Sequence, residues 1–199
     1  MSKRIVTIGR QFGSGGRQIG QLVANKLGVK CYDRTLIDLT AKASGFDAKT
    51  LEKYDEKSNS KLLVPIPIGH YANFTSVNFE YTLNDKIFFI QSDIIKKIAE
   101  KESAVIVGRC ANYVLSQRSD VLRVYIYADI DARVKAVAER HYIDEKSATQ
   151  LITKTDRKRA SYYKFYTGSA WGSPTDYDLM IDSALGYDKI ADIIVAATK

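Results

Sequence analysis

The sequence predicts an α/β fold in which a parallel sheet is covered on both faces by helices. Three observations carry that prediction. Short β-branched runs recur along the chain with apolar residues on both faces, as buried parallel strands require. Most of these runs lead into a segment whose apolar residues fall at helical spacing. At the first such junction glycines crowd the turn, five of the chain's twelve lying between Gly9 and Gly20.

The first run is "RIVTIG" at 4–9, a short buried strand. The helix after it places Ile19, Leu22, Val23 and Leu27 at i, i+3, i+4 and i+8, and Gly28 ends it. "VKCY" at 29–32 suits a second strand, followed by "AVIVG" at 104–108 and "VLRVYIYA" at 121–128. Asp129 and Asp131 then suit the start of a helix through "ARVKAVAERH", because carboxylates cap free amides there and oppose the helix dipole. "DLMID" at 178–182 reads as the last strand and residues 187–198 as a closing helix.

Two segments break the alternation. Residues 34–102 hold helices but no clear sheet strand, except around the irregular "LLVPIPIGHYANFTSVNF" at 62–79, where Pro65 and Pro67 forbid a regular central strand. Leu83, Ile87, Ile90, Ile94 and Ile98 then mark a long amphipathic helix. The second segment, 142–176, is polar, basic and tyrosine-rich. Both follow strand–helix boundaries at the carboxyl edge of the expected sheet, where ligands bind in such folds, so substrate-covering flaps are expected there. Peripheral packing is the plainer alternative.

With 199 residues, the chain is expected to form one domain with a substantial core. Its longest apolar runs are far too short to cross a bilayer, and the N-terminus lacks a basic stretch followed by a long apolar run. Cys31 and Cys110 lack metal-ligand spacing, so neither a disulfide framework nor a zinc site is expected, and the setting is read as reducing and cytoplasmic. A net charge of +7 favours nucleotides, phosphorylated metabolites or nucleic acid as partners, although a charged surface that only confers solubility would look the same.

The glycine-rich turn is the most informative stretch. A strand turning into a helix leaves backbone amides unpaired at the helix start, which suits a phosphate. Gly13, Gly15 and Gly16 let the backbone curl tightly there, with Ser14 between them. In the G-x-x-x-x-G-K-[ST] pattern a lysine reaches the β- and γ-phosphates and a hydroxyl binds magnesium. If Gly16 is the last glycine, Arg17 takes the lysine position, Gln18 the hydroxyl position and Gln11 the first glycine. If Gly15 is the last glycine, Gly16 replaces the lysine and the cation must come from elsewhere. The first register is preferred, although arginine's planar fork is no conservative substitute for lysine. The dinucleotide spacing G-x-G-x-x-G fails at Gln18.

The loop, "YDRTLI", "VIVGRCANYVL", "VYIYADIDARVKAV" and "DRKRASYYKFYTGSAWGSPTDYDLMIDS" together resemble the cytidylate kinase-like family, a branch of the P-loop nucleoside monophosphate kinases. The resemblance covers most of the chain and is poorest at 45–82. It implies a three-layer P-loop core over 1–33, 103–141 and 177–199. It further implies a helical monophosphate-binding insertion over 34–102 and a lid over 142–176. ATP and magnesium are implied, with a nucleoside monophosphate, most simply CMP or dCMP, as acceptor.

Such chemistry is mostly electrostatic and needs positive charge on the transferring group. Arg17 and Arg157 are the expected catalytic cations, with Arg157 and Arg159 in the lid beside Lys154 and Lys158. The two lysines also read as a solvated face. Arg109, directly after a strand, is expected to grip the acceptor with Arg34, Arg140 and Arg159. Arg133 and Arg140 are seven apart, hence on one helix face. Asp33 resembles the family's aspartate near magnesium and the acceptor phosphate, although it also suits an N-cap. Magnesium is therefore expected near Gln18 and Asp33. Asp182 and Ser183 are carried over to the adenine side. Asp129 reads as a cap, Tyr162, Tyr163 and Tyr166 as lid packing, Trp171 as a loop anchor, and His70 and His141 as ordinary polar residues. No nucleic-acid motif appears, and monomer and homodimer stay open. A P-loop kinase for another small acceptor and a non-catalytic nucleotide-binding or nucleic-acid-binding protein are the competing readings.

Overall fold

The computed structural model describes residues 4–47, 51 and 82–199. The segment 62–79, with Pro65, Pro67 and His70, lies outside the described residues. Five parallel strands form one sheet in the order β2-β3-β1-β4-β5: β1 (Ile5–Arg10), β2 (Lys30–Tyr32), β3 (Ala104–Val107), β4 (Val121–Tyr127) and β5 (Leu179–Asp182). All four pairings are parallel, with Ile5 beside both Ala104 and Val121. The α/β class and each expected strand are therefore present.

Alternation along β1 divides the core. Val6 and Ile8 face α1 (Gly16–Leu27) and α7 (Tyr187–Ala196), packing with Ile19, Val23, Ile190 and Ile194. Ile5 faces the other side, where α2 (Thr35–Ser44), α3 (Leu83–Lys101) and the short α4 (Ala111–Val114) contribute Leu36, Ile95, Ile98 and Ala111, with Leu115 just beyond α4. Helices on both faces of a sheet buried on both sides make three layers. The long amphipathic helix is α3, but its buried stripe runs through Ile87, Gln91, Ile95 and Ile98 rather than through Ile94, which is half-buried.

The polar segment expected as a lid contains one 23-residue helix, α6 (Glu145–Thr167), which pairs with α5 (Ile130–His141). Val134 and Val137 of α5 pack on Ala148 and Ile152 of α6, and Phe12 leans into the same cluster. Asp129 caps α5 as expected, accepting the Asp131 amide at 2.8 Å. Tyr162 and Tyr163 are buried, and Tyr166 stacks on Phe88 at 4.0 Å. Trp171 meets Tyr125 edge-on, anchoring the loop after α6. These aromatics are packing residues, as their helical spacing suggests.

From β1 the chain travels toward β2 at one edge of the sheet, and from β4 toward β5 at the other. Such a reversal opens a crevice beyond the carboxyl ends of the strands. The glycine loop stands there.

Candidate active site

Helix α1 begins at Gly16, and Gly15 precedes it in the left-handed region at φ 75° with no side-chain cap. A Cβ on Gly15 would lie 2.2 Å from the Tyr187 ring, so only glycine fits. Gly13 is also left-handed, at φ 85°. Ser14 is buried and donates to Gln11 O at 2.9 Å, closing the loop on itself. The helix start leaves amides directed at the crevice. Arg17 is then the second residue of α1, the position of the P-loop lysine in the preferred register.

A cavity of about 440 Å³ opens over this helix start. Six arginines line it, Arg10, Arg17, Arg34, Arg109, Arg140 and Arg159, against one carboxylate, Asp33. Gly13, Gly15, Gly16 and Gln18 line it too. A second cavity, of about 430 Å³, adjoins it and shares Arg17, Gln18, Asp33, Arg34 and Arg140. Positive charge gathered in a concave site with a single acid favours a polyanionic ligand.

Arg17 is largely exposed, and its Nε pairs with Asp33 Oδ2 at 2.8 Å. That pairing settles Asp33's local role: Arg34, not Asp33, is the N-cap of α2, and no side chain caps that helix. Gln18, with its amide turned to suit its neighbours, accepts from Arg140 Nη2 at 2.9 Å. Asp33 sits over cationic neighbours as the one acid of the cavity, while Cys31 beside it is pushed up to about 11 by burial, with the Asp33 charge adding and Arg17 opposing.

Arg109 is nine-tenths buried, at the end of the turn after β3. Gly108, Arg109 and Cys110 all have positive φ, at 81°, 58° and 54°. Two consecutive non-glycine residues there cost of order 1–3 kcal/mol each and persist only where the surroundings hold them. The left-handed φ of Gly108 favours glycine, and a Cβ there would have to displace the Arg10 guanidinium.

The sequence-predicted residues thus divide. Gly13, Gly15, Gly16, Arg17, Gln18, Asp33, Arg34, Arg109, Arg140 and Arg159 all line the main cavity, and Ser14 supports its loop. Arg157 does not line it: it is exposed on the outward side of α6, along an open depression with Lys154 and Lys158. Arg159, two positions on, turns inward because 200° of helix separates the two. Arg133 and Arg140 part company despite their spacing. Arg133 is buried against Asp156 at 2.6 Å, while Arg140 stays at the cavity. Asp182 caps the turn after β5, accepting the Ala184 amide at 2.9 Å.

Arg10 escaped the sequence reading because it closes β1 and reads as a strand end; a charged residue at the carboxyl end of the central strand was the signal. His141 lines the cavity and lies 6.0 Å from the Phe12 ring. Asp156 also escaped, hidden among lid lysines and arginines. Among the described residues no helix is long and apolar enough to cross a membrane.

Comparison with known proteins agrees with this fold. A crystal structure of an uncharacterized protein from Eubacterium ventriosum superposes with a TM-score of 0.73 at 30% identity, covering 98% of this chain and 97% of that one. A shikimate kinase from Bacteroides thetaiotaomicron shares the fold, with a TM-score of 0.56 at 11% identity over 97% of each chain. The cytidylate kinase of Sulfolobus acidocaldarius is 25% identical over 186 residues, 92% of this chain and 87% of that protein. A cytidylate kinase from Methanoculleus marisnigri is 28% identical over 104 residues, 51% of this chain and 56% of that protein. The model of the cytidylate kinase-like family matches residues 5–185, and the chain belongs to that family of nucleotide-binding kinases.

Proposed function

We propose that this protein transfers the γ-phosphoryl group of ATP to a nucleoside monophosphate, CMP or dCMP first among them. The observation that carries the reading is the convergence of six arginines with the helix start of a glycine loop around one carboxylate. An oxygen of the acceptor phosphate attacks Pγ, the bond from Pγ to the β–γ bridging oxygen breaks, and ADP leaves as the nucleoside diphosphate forms. Both reactants are anions, so positioned cations lower the barrier by neutralising charge as it redistributes.

In this reading the loop amides and Arg17 take the donor phosphates, and Arg17 exchanges Asp33 for phosphate when ATP arrives. Arg109, with Arg34 and Arg140, holds the acceptor phosphate, and a buried guanidinium offers it a bidentate grip. Arg159 takes over the lid role read for Arg157, which from its outward side reaches the phosphates only if the helix moves. The segment 34–102 serves as acceptor insertion and 142–176 as lid.

Asp33 supplies a hard oxygen ligand. Magnesium in such sites binds one or two carboxylates together with substrate phosphates, so Asp33 beside Gln18 fits an ion that arrives with ATP. Among the described residues no group of three acids, histidines or cysteines could hold a metal by itself. When bound, the ion adds charge neutralisation at the β- and γ-phosphates.

The test is ADP release from MgATP with CMP, dCMP, UMP, AMP and GMP as acceptors, with Arg17→Ala beside the wild type. Turnover with CMP or dCMP that falls by about a hundredfold or more in Arg17→Ala is the expected result. Turnover untouched by the substitution keeps the kinase and removes Arg17 from its role. No turnover with any of the five sinks the monophosphate reading and turns the search to other acceptors.

A further inference from the structure

Phe12, the residue before Gly13 of the loop, is held from outside by the α5–α6 hairpin at every point it offers. Its amide donates to Asp156 Oδ1 at 2.8 Å. Its carbonyl accepts from Arg133 Nη1 at 3.4 Å. Its ring leans on the cluster of Val134, Val137, Ala148 and Ile152, with the Arg159 guanidinium 5.6 Å from the ring centre. Asp156 Oδ2 closes the arrangement by accepting Arg133 Nη1 at 2.6 Å. Arg159, three residues along the same face of α6, donates to Arg10 O at 3.2 Å.

One carboxylate therefore joins α6, α5 and the phosphate loop, and none of these bonds uses an amide of the helix start. We infer that Asp156 is a positioning residue for nucleotide binding: its carboxylate fixes Phe12, and through Phe12 the left-handed turn at Gly13 that aims the loop at the donor phosphates. The middle of α6, inside the segment proposed as the lid, then braces the loop. Gly13 itself packs closely on α5, where a Cβ would lie 2.9 Å from Val137 Cγ2 and 3.1 Å from Arg133 O. A carboxylate suits the task because it accepts from two donors at once. Asparagine at 156 could satisfy the Phe12 amide or Arg133, and would set an N–H against the other.

This inference rests on the proposed reading of the loop as an ATP site, and equilibrium binding separates the two. The dissociation constants of ATP and of CMP are measured by calorimetry for wild type, Asp156→Asn and Asp156→Ala, with Tm and far-UV circular dichroism alongside. Expected is an ATP affinity about tenfold weaker in Asp156→Asn and weaker again in Asp156→Ala, with CMP affinity within about twofold of wild type. In turnover the same variants raise KM for ATP and leave KM for the acceptor in place. ATP binding within twofold of wild type in the folded variants overturns the inference. So does a parallel loss of ATP and CMP affinity, which a carboxylate serving only the fold would produce. If Asp156→Ala fails to fold, Asp156→Asn, which keeps one of the two hydrogen bonds, decides. Wild-type protein that does not bind ATP overturns the proposed function instead.

Discussion

The two ends of the sheet handle positive charge in opposite ways. At the amino end Arg118 and Lys30 each have an acid of their own. Arg118 donates through Nε and Nη2 to both oxygens of Asp120, at 2.9 and 2.8 Å, and Lys30 pairs with Glu102 at 2.9 Å while Tyr32 donates to the same carboxylate. At the carboxyl end six arginines line a cavity whose one carboxylate, Asp33, pairs with Arg17. Cations balanced one for one by acids are a surface solution and contribute little beyond local order. Cations gathered around one acid raise each other's energy and are relieved by an anion. The first arrangement serves the fold, and on the proposed function the second costs stability that a bound anion returns.

Arg109 offers the sharpest way to break that contrast. Its backbone lies at φ 58°, a region that glycine adopts without strain. Arg109→Gly is expected to leave stability unchanged or raise it by up to about 1 kcal/mol, because left-handed strain disappears along with a buried guanidinium. The same substitution is expected to lower kcat/KM for the acceptor by about a hundredfold to a thousandfold. Thermal unfolding and steady-state kinetics on one preparation check both halves. A fall in stability with activity intact would make Arg109 a structural residue like Arg118.

The glycines at the two ends of α1 extend the comparison. Gly15 and Gly28 are both left-handed, at φ 75° and 66°, but Gly28 faces open space whereas Gly15 faces the Tyr187 ring. Gly28→Ala is expected to cost about 1 kcal/mol of stability and nothing in ATP affinity. Gly15→Ala carries the same backbone strain plus the collision, so the loop must move: ATP affinity is expected to fall by at least about tenfold. Calorimetric titration of both variants with ATP, with Tm alongside, distinguishes them.

Much of this was legible in the sequence, and particular residues show why. β-branched runs such as "AVIV" read as buried strands because a parallel sheet needs apolar residues on both faces. Gly13, Gly15 and Gly16 read as a phosphate loop because the requirement they meet is local. Arg157 and Arg133 misled because which face of α6 turns inward, and which acid sits across from α5, are set by packing between helices far apart in sequence. The Phe12–Asp156 bond spans 144 residues, and no spacing rule reaches that far. Asp33 lay between two readings because an N-cap and an aspartate serving magnesium and the acceptor phosphate both need only an acid at that strand end; with Arg34 as the N-cap, Asp33 instead pairs with Arg17.

At the amino end a smaller effect is expected, and its sign follows from linkage. Glu102 is held below its ordinary range first by the Tyr32 hydroxyl and then by Lys30, and Asp120 first by Arg118. A carboxylate depressed in the folded state contributes stability that is present above its unfolded pKa and lost as pH falls through the folded one. Glu102→Gln is therefore expected to lower Tm slightly at pH 7, by on the order of a degree, and to make no difference near pH 3. ATP affinity is expected to be unchanged at pH 7. Tm measured from pH 3 to 7 checks the convergence. Curves that stay apart at pH 3 would mean that the pair is not what Glu102 contributes.

The smallest effect belongs to Cys31, which lines the adjoining cavity beside Arg17 and Asp33. A thiol among so many arginines would be expected to ionise readily, since cations lower a thiol pKa. Burial instead pushes it up to about 11; Asp33 adds to the shift, and Arg17 opposes both without overcoming them. Arg17 is already engaged with Asp33, so the pair brings the thiol little net field. At pH 7.5 Cys31 is therefore protonated, and alkylation by iodoacetamide is expected to run at least about tenfold slower than that of an unperturbed thiol. Mass spectrometry of the alkylated peptide against time and pH gives the rate, which should climb without a plateau up to pH 10. Asp33→Asn removes one of the two upward influences and leaves Arg17 unopposed, so it should speed the reaction several-fold. A rate in Asp33→Asn equal to wild type would mean that burial alone controls the thiol, and that the Arg17–Asp33 pair exerts no field on its own neighbour.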